Sequence, residues 1–136
     1  MKVKPYVAQL VVCVWLISAV AAFGHHGFSS EFDAARPISI TGVLTKVDWV
    51  NPHIYVYLSV KGEDGNTVEW AFETLPPLWF HKAGLQRSML TLGETVTIVG
   101  YGAKDGSKHL GWIKKFRFAD GRETQITADN PNEQAK

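Results

Sequence analysis

The chain is poor in the residues that most small exported or catalytic proteins lean on. It has one cysteine in 136 residues, Cys13. That cysteine lies inside the apolar run Tyr6–Val20, in a stretch "LVVC" that lacks the small residues expected before a lipidated cysteine. If the run is removed on export, what remains has no thiol, no disulfide and no thiolate metal site. There is no G-x-S-x-G elbow and no glycine loop opening a helix to cradle phosphate, so nucleophilic and nucleotide chemistry lack their usual frames. Charge of one sign is also missing. From Gly24 onward, 14 − 2 = 12 basic residues stand against 13 acidic ones. A near-neutral chain has no electrostatic footprint for nucleic acid, which needs an excess of Lys and Arg.

Long hydrophobic runs are scarce as well. "YVAQLVVCVWLISAV" is shorter than the roughly 20 residues of a membrane span. Lys2 and Lys4 precede it and the small residues of "AAFG" follow, which gives the three-part layout of a secretory signal peptide over residues 1–24. The expectation is export to the periplasm or beyond, with no membrane attachment after cleavage; a retained N-terminal anchor is the alternative. Small residues stand at Ala22/Gly24, giving a start at His25, and at Ala19/Ala21, giving a start at Ala22.

What is present is β patterning with histidines at its margins. Residues 25–37 read as an N-terminal arm, in which Phe28 and Phe32 stand four apart and "DAARP" turns the chain, Asp33 bonding a nearby amide. From Ile38 the period is two. Ile38 and Ile40 share a face, and a change of phase after Gly42 hands the apolar role to Val43, Val47 and Trp49, the signature of a glycine bulge in a long first strand. "HIYVYLSV" and "TVEWAFE" alternate around an Asp64-Gly65 hairpin. "LPPLWFHKAGL" predicts a short helix with Gly84 at its exit. Two further strands follow, joined by Asp105-Gly106, with Leu110, Trp112, Phe116 and Phe118 read on one face. Asp120-Gly121 makes a last hairpin into "RETQIT", and residues 128–136 read as a polar tail.

A long bent strand, two strands, a short helix and two strands is the order of a five-stranded Greek-key OB barrel, here spanning residues 38–127. The expected class is all-β with one short helix. A lipocalin-like or sandwich fold is the runner-up, and would lack the mid-chain helix.

All five histidines survive cleavage. A histidine at a free N-terminus binds Cu(II) through its amine and ring nitrogen, and one more imidazole completes a planar nitrogen set. His25 or His26 with His53, in "WVNPH", are therefore the candidate metal ligands, and copper the candidate ion. Glu31, Asp33 and Asn51 are candidates for a supporting shell, against the simpler reading of turn caps and surface pairs. Tyr55, Tyr57, Glu69 and Glu73 form a candidate ligand face on strands two and three. His81 reads as a partly exposed helix residue and His109 as solvent. No catalytic constellation is evident, and no enzyme is expected.

"HHGFSSEFD", "PISITGVLTKVDWVNPH", "LTLGETVTIVGYGAKDGS" and "ADGRE" together resemble the exported bacterial proteins grouped as domain of unknown function 6152. Their pattern runs HHSF, EFD, W-x-N-P-H, G-D/E-x-V-x-V-x-G and A-K-D-G. The resemblance implies periplasmic export and a small OB-like domain, with no known activity. Its motif falls on His25, His26, Glu31, Asp33, Trp49, Asn51, Pro52 and His53. The chain departs from it at Gly27, where the pattern has serine, and at Leu85, where tryptophan is common. Two functions stay open: a periplasmic binding module holding a metal, and an envelope interaction protein that uses its aromatic barrel face. An N-terminal-histidine copper oxidase is the least supported, for want of a pocket and a second catalytic group.

Overall fold

Six runs of alternating residues become six strands in the computed structural model, which describes residues 27–127. The segment 1–24 read as a signal peptide, the histidines His25 and His26, and the tail 128–136 lie outside the described residues. A single helical turn α1 (Phe28–Glu31) leads into β1 (Phe32–Asp48), β2 (Tyr55–Lys61) and β3 (Thr67–Glu73). Helix α2 (Pro77–Lys82) and a 3-10 turn (Arg87–Met89) come next, then β4 (Thr95–Ala103), β5 (Leu110–Phe118) and β6 (Glu123–Gln125). No helix among the described residues is long and apolar enough to cross a membrane.

Strand β1 is long enough to serve two neighbours, β4 along Phe32–Val43 and β2 along Val43–Asp48, both antiparallel. β2 pairs with β3 and β4 with β5, and a short parallel contact between β3 and β5 closes the ring in the order 1-2-3-5-4. With α2 between β3 and β4, this is the expected all-β OB-like barrel with one short helix. The sixth strand is an addition: β6 extends the sheet beyond β5, its Glu123 held by Lys115 and Arg117.

The interior is filled from strands β1 to β5 by Leu44, Val56, Leu58, Phe72, Val96, Ile98, Ile113 and Phe116. Pro77 starts α2 where a missing N–H costs nothing, and the helix drives fully buried Phe80 into the core, where Trp49 meets it edge-on at 5.2 Å. Gly84 leaves the helix at φ 80, as its position after the last turn predicts.

Three local readings are corrected. The arm is not separate from the barrel, because β1 begins at Phe32 rather than Ile38. "DAAR" is a step in register within that strand, between Phe32 and Pro37, where Asp33 accepts from the Ala35 amide at 2.9 Å. The bulge in β1 falls at Thr45, not Gly42: Leu44 opposes Leu58, but Lys46 opposes Tyr57. The inward face therefore runs Ile38, Ile40, Gly42, Leu44, and Val43 points out, 40% exposed. Gly42 marks close approach instead, since a Cβ there would lie 2.7 Å from the Ser59 carbonyl and 2.8 Å from Val60. Finally, β5 does not keep one apolar face. Gly100 opposes Ile113 while Val99 opposes Lys115, so Lys114 is an extra residue. Leu110 and Trp112 face out of the barrel; Phe116 and Phe118 face in.

Gly42→Ala should destabilise the protein by about 1–3 kcal/mol, because backbone on the neighbouring strand must yield. A lowered urea midpoint with unchanged slope would show it; an unchanged midpoint would mean that β1 and β2 separate freely at this point.

Candidate functional site

The extra residue in β5 turns Trp112 outward, and an exposed indole there needs a cover. Antiparallel pairing sets Tyr101 of β4 opposite it, and the parallel contact sets Glu73 of β3 beside it. The N-terminal arm supplies the rest. Phe28 meets Trp112 and Tyr101 edge-on, each at 5.5 Å, and Phe32 lies 5.5 Å from Trp112. Phe28 and Phe32 also stack on each other at 6.0 Å, the outcome their spacing implies. Phe32, Tyr101 and Trp112 are thereby buried in a second apolar cluster on the outside of the barrel. The arm is pinned by backbone as well: the Lys104 amide donates to the Glu31 carbonyl at 2.8 Å and the Lys104 ammonium to the Ser29 carbonyl at 3.1 Å.

His53 joins this cluster from the β1–β2 loop. The next residue, Ile54, is fully buried, and its carbonyl accepts from the Thr74 amide at 3.1 Å, which ties the end of the loop to the end of β3. The tie places His53 beside Glu73. Its Nδ1 donates to Glu73 Oε1, and its ring stands edge-on to Trp112 at 6.3 Å. An ionised carboxylate can only accept, so the contact puts a proton on Nδ1, and in the neutral ring it is Nε2 that carries the lone pair. Glu73 is 6% exposed, an expensive position for an acid unless partnered. Tyr55, directly opposite it across β2 and β3, is the second partner. Burial, then the charge of Glu73 and the hydrogen bond to it, push the Tyr55 phenol up to about 12, with Glu31 contributing a smaller repulsion.

The sequence candidates therefore divide. His53, Glu73 and Tyr55 come together, with Glu31 in electrostatic reach; Glu73 and Tyr55 are not an open ligand face but a pair of a buried acid and a half-buried phenol beside an imidazole. Tyr57 and Glu69 belong elsewhere, around the ion pair of Lys46 and Asp48 at 2.7 Å, whose ammonium also sits 4.9 Å from the Tyr57 ring. The ion pair holds Asp48 below the ordinary carboxylate range. Asp33 caps its own turn rather than reaching the site. Asn51 is exposed in the loop before the cis Pro52. His81 is exposed, as read from the sequence. His109 is not plain solvent: it is half-buried with its ring 5.4 Å from Trp70. Trp112 was read as an interior residue, and the residue count of the β5 bulge, invisible to a period-two reading, is why its place in the site went unseen.

Among the described residues no three His, Cys, Asp or Glu side chains come close enough to hold a metal. His53 is thus one oriented donor, and further ligands must come from outside those residues. The indole N–H of Trp112 and the hydroxyl of Thr74 are buried with no hydrogen-bond partner among them.

His53→Ala should cost about 2–3 kcal/mol, less than breaking a fully buried pair because His53 is 21% exposed, since it strips a buried carboxylate of one partner. The double variant His53→Ala, Glu73→Gln should recover at least half of the loss in chemical denaturation. Equal loss in both would mean that the pair carries no coupling.

The family of unknown function DUF6152 matches residues 12–112. Comparison with curated proteins finds no match. The match spans the arm, the His53 loop, α2 and the barrel as far as Trp112, so the chain belongs to the DUF6152 family.

Proposed function

We propose that this protein is an exported periplasmic binding module of OB type that holds copper through His53 and the paired histidines His25 and His26. The observation that carries the reading is the contact of His53 Nδ1 with the buried Glu73 carboxylate. Carboxylate, imidazole and metal in that order is how proteins fix the tautomer of a ligand histidine and raise its basicity. The arm supports it further. Phe28 packs on the same Trp112 that His53 touches. His26 and His25 are two and three residues upstream, a chain reach of at most about 7 and about 11 Å from that anchor. With the cut after Gly24, the His25 amine and ring and the His53 ring would make the planar nitrogen set that Cu(II) favours. With the cut after Ala21, the histidines serve through their rings alone. The alternative, an envelope interaction protein, draws on Leu78 and Trp79 of α2, which stand 61% and 39% exposed.

Protein recovered from the periplasm should start at His25 by mass spectrometry and give a Cu(II) spin-resonance signal with nitrogen couplings. His25→Ala and His53→Ala should each abolish or alter that signal. Glu73→Gln should weaken copper binding by roughly 10-fold or more, because it loosens the hold on the His53 ring. A mature start at Ala22 would exclude the amine chelate. A signal indifferent to both histidine variants would remove the metal reading and leave the interaction one.

A further inference from the structure

The β4–β5 loop builds a second concave feature that the metal reading does not use. Between this loop, the start of β1 and the outer end of β3 lies a cleft of about 240 Å³, lined among others by Arg36, Ile38, Trp70, Ser107, Lys108 and His109. Its polar lining is one-sided. Arg36, Lys108 and His109 bring nitrogen donors, while the Ser107 hydroxyl is turned to the Asp105 carboxylate. The loop's own acid, Asp105, is not in the lining; it is turned back on the loop, where its Oδ1 accepts from the Ser107 amide at 2.8 Å, although it still feels the charge of Arg36.

Two of the donors, Arg36 and His109, are held in place. Arg36 is braced by one guanidinium nitrogen, Nη1, donating to the Ala103 carbonyl at 2.7 Å, and the remaining N–H groups of its fork are available. His109 adopts φ 59, in the left-handed region that a residue other than glycine enters at a cost, and its ring rests edge-on against Trp70 at 5.4 Å. The His109 carbonyl accepts from the Ala71 amide at 2.9 Å, which ties the loop to β3. Trp70 is itself stacked at 5.5 Å on the core residue Phe72, so the wall it forms with Ile38 is rigid and apolar.

We infer that this cleft is a binding site for a small oxyanion carried on a flat apolar body, the anion meeting Arg36 and Lys108 and the body lying against Trp70 and Ile38. Arg supplies the planar fork that carboxylate and phosphate groups share, and a pocket with an apolar wall and few convergent donors is the usual form of a small-ligand site. The inference is independent of copper, since none of these residues belongs to the His53 cluster.

The test is an amide and indole NMR titration of the intact protein with benzoate, phenyl phosphate and neutral benzyl alcohol. Either anion should produce saturable shifts at the Trp70 indole and at the Ser107 and His109 amides, while benzyl alcohol should not; the tighter of the two anions identifies the source of the oxyanion. Lys108→Gln, an exposed change that leaves the fold intact, should weaken binding by about five- to tenfold. Lys82→Gln, on α2, should leave it unchanged. Absence of saturable shifts with both anions, or an equal response to benzyl alcohol or in Lys108→Gln, would overturn the proposal.

Discussion

The surface of this barrel is organised by the burial of an indole that one extra residue, Lys114, has turned to the outside. Were that residue paired like its neighbours, strict alternation would put Trp112 on the same face as Phe116 and Phe118, and an interior already filled from five strands would have to take it. The bulge sends Trp112 outward, and its carbonyl sits so close to β4 that position 100 accepts only glycine: a Cβ there would lie 1.7 Å from the Trp112 oxygen. The carbonyl of Lys114 is in turn occupied by the amides of Ile126 and Thr127, which brings the chain after β6 back onto β5.

An outward tryptophan in water is a loss of apolar burial, and the arm from Phe28 to Phe32 removes it. Two phenylalanines against Trp112 and Tyr101 form a core of their own on the barrel wall, each fully buried aromatic contributing on the order of 2–3 kcal/mol. This is what holds residues 28–32 against the barrel wall. Glu73, beside the covered Trp112, is itself 6% exposed, and a carboxylate in such a place has to be satisfied by donors. His53 and Tyr55 are those donors. The oriented imidazole is thus a consequence of the packing: the bulge sets Trp112 beside Glu73, the arm covers Trp112, and the buried acid fixes the histidine ring.

Much of this architecture was legible in the residues themselves. The Asp-Gly pairs at 64–65, 105–106 and 120–121 mark hairpins because the glycine at each takes φ near 80–90°. The prolines before Leu78 open the helix, and the strand, helix and strand order then leaves few topologies besides the OB barrel. Phe28 and Phe32 were readable as an anchoring pair, and His53 as the loop histidine worth watching. The partners of His53 were not. Glu73 reads as one more acid on the polar face of an alternating strand, and Tyr55 as a solvent-side aromatic; only the closed barrel sets Trp112 and His53 against Glu73. Thr45 and Lys114 look like ordinary strand residues, and nothing local says that the strand register steps at them.

The sequence by itself determined the periodicities, the turns and the helix start, because those depend on the chemistry of neighbouring residues and on backbone conformations that few residue types adopt. It also determined which nitrogen-bearing side chains exist to bind anything. Where β1 and β5 slip by one residue was decided only in the closed barrel, since a bulge answers to the register of two partner strands at once, and a slip of one residue exchanges the inner and outer faces from that point on. For that reason the outward Trp112, the buried Glu73 and the set of the His53 ring belong to the tertiary structure.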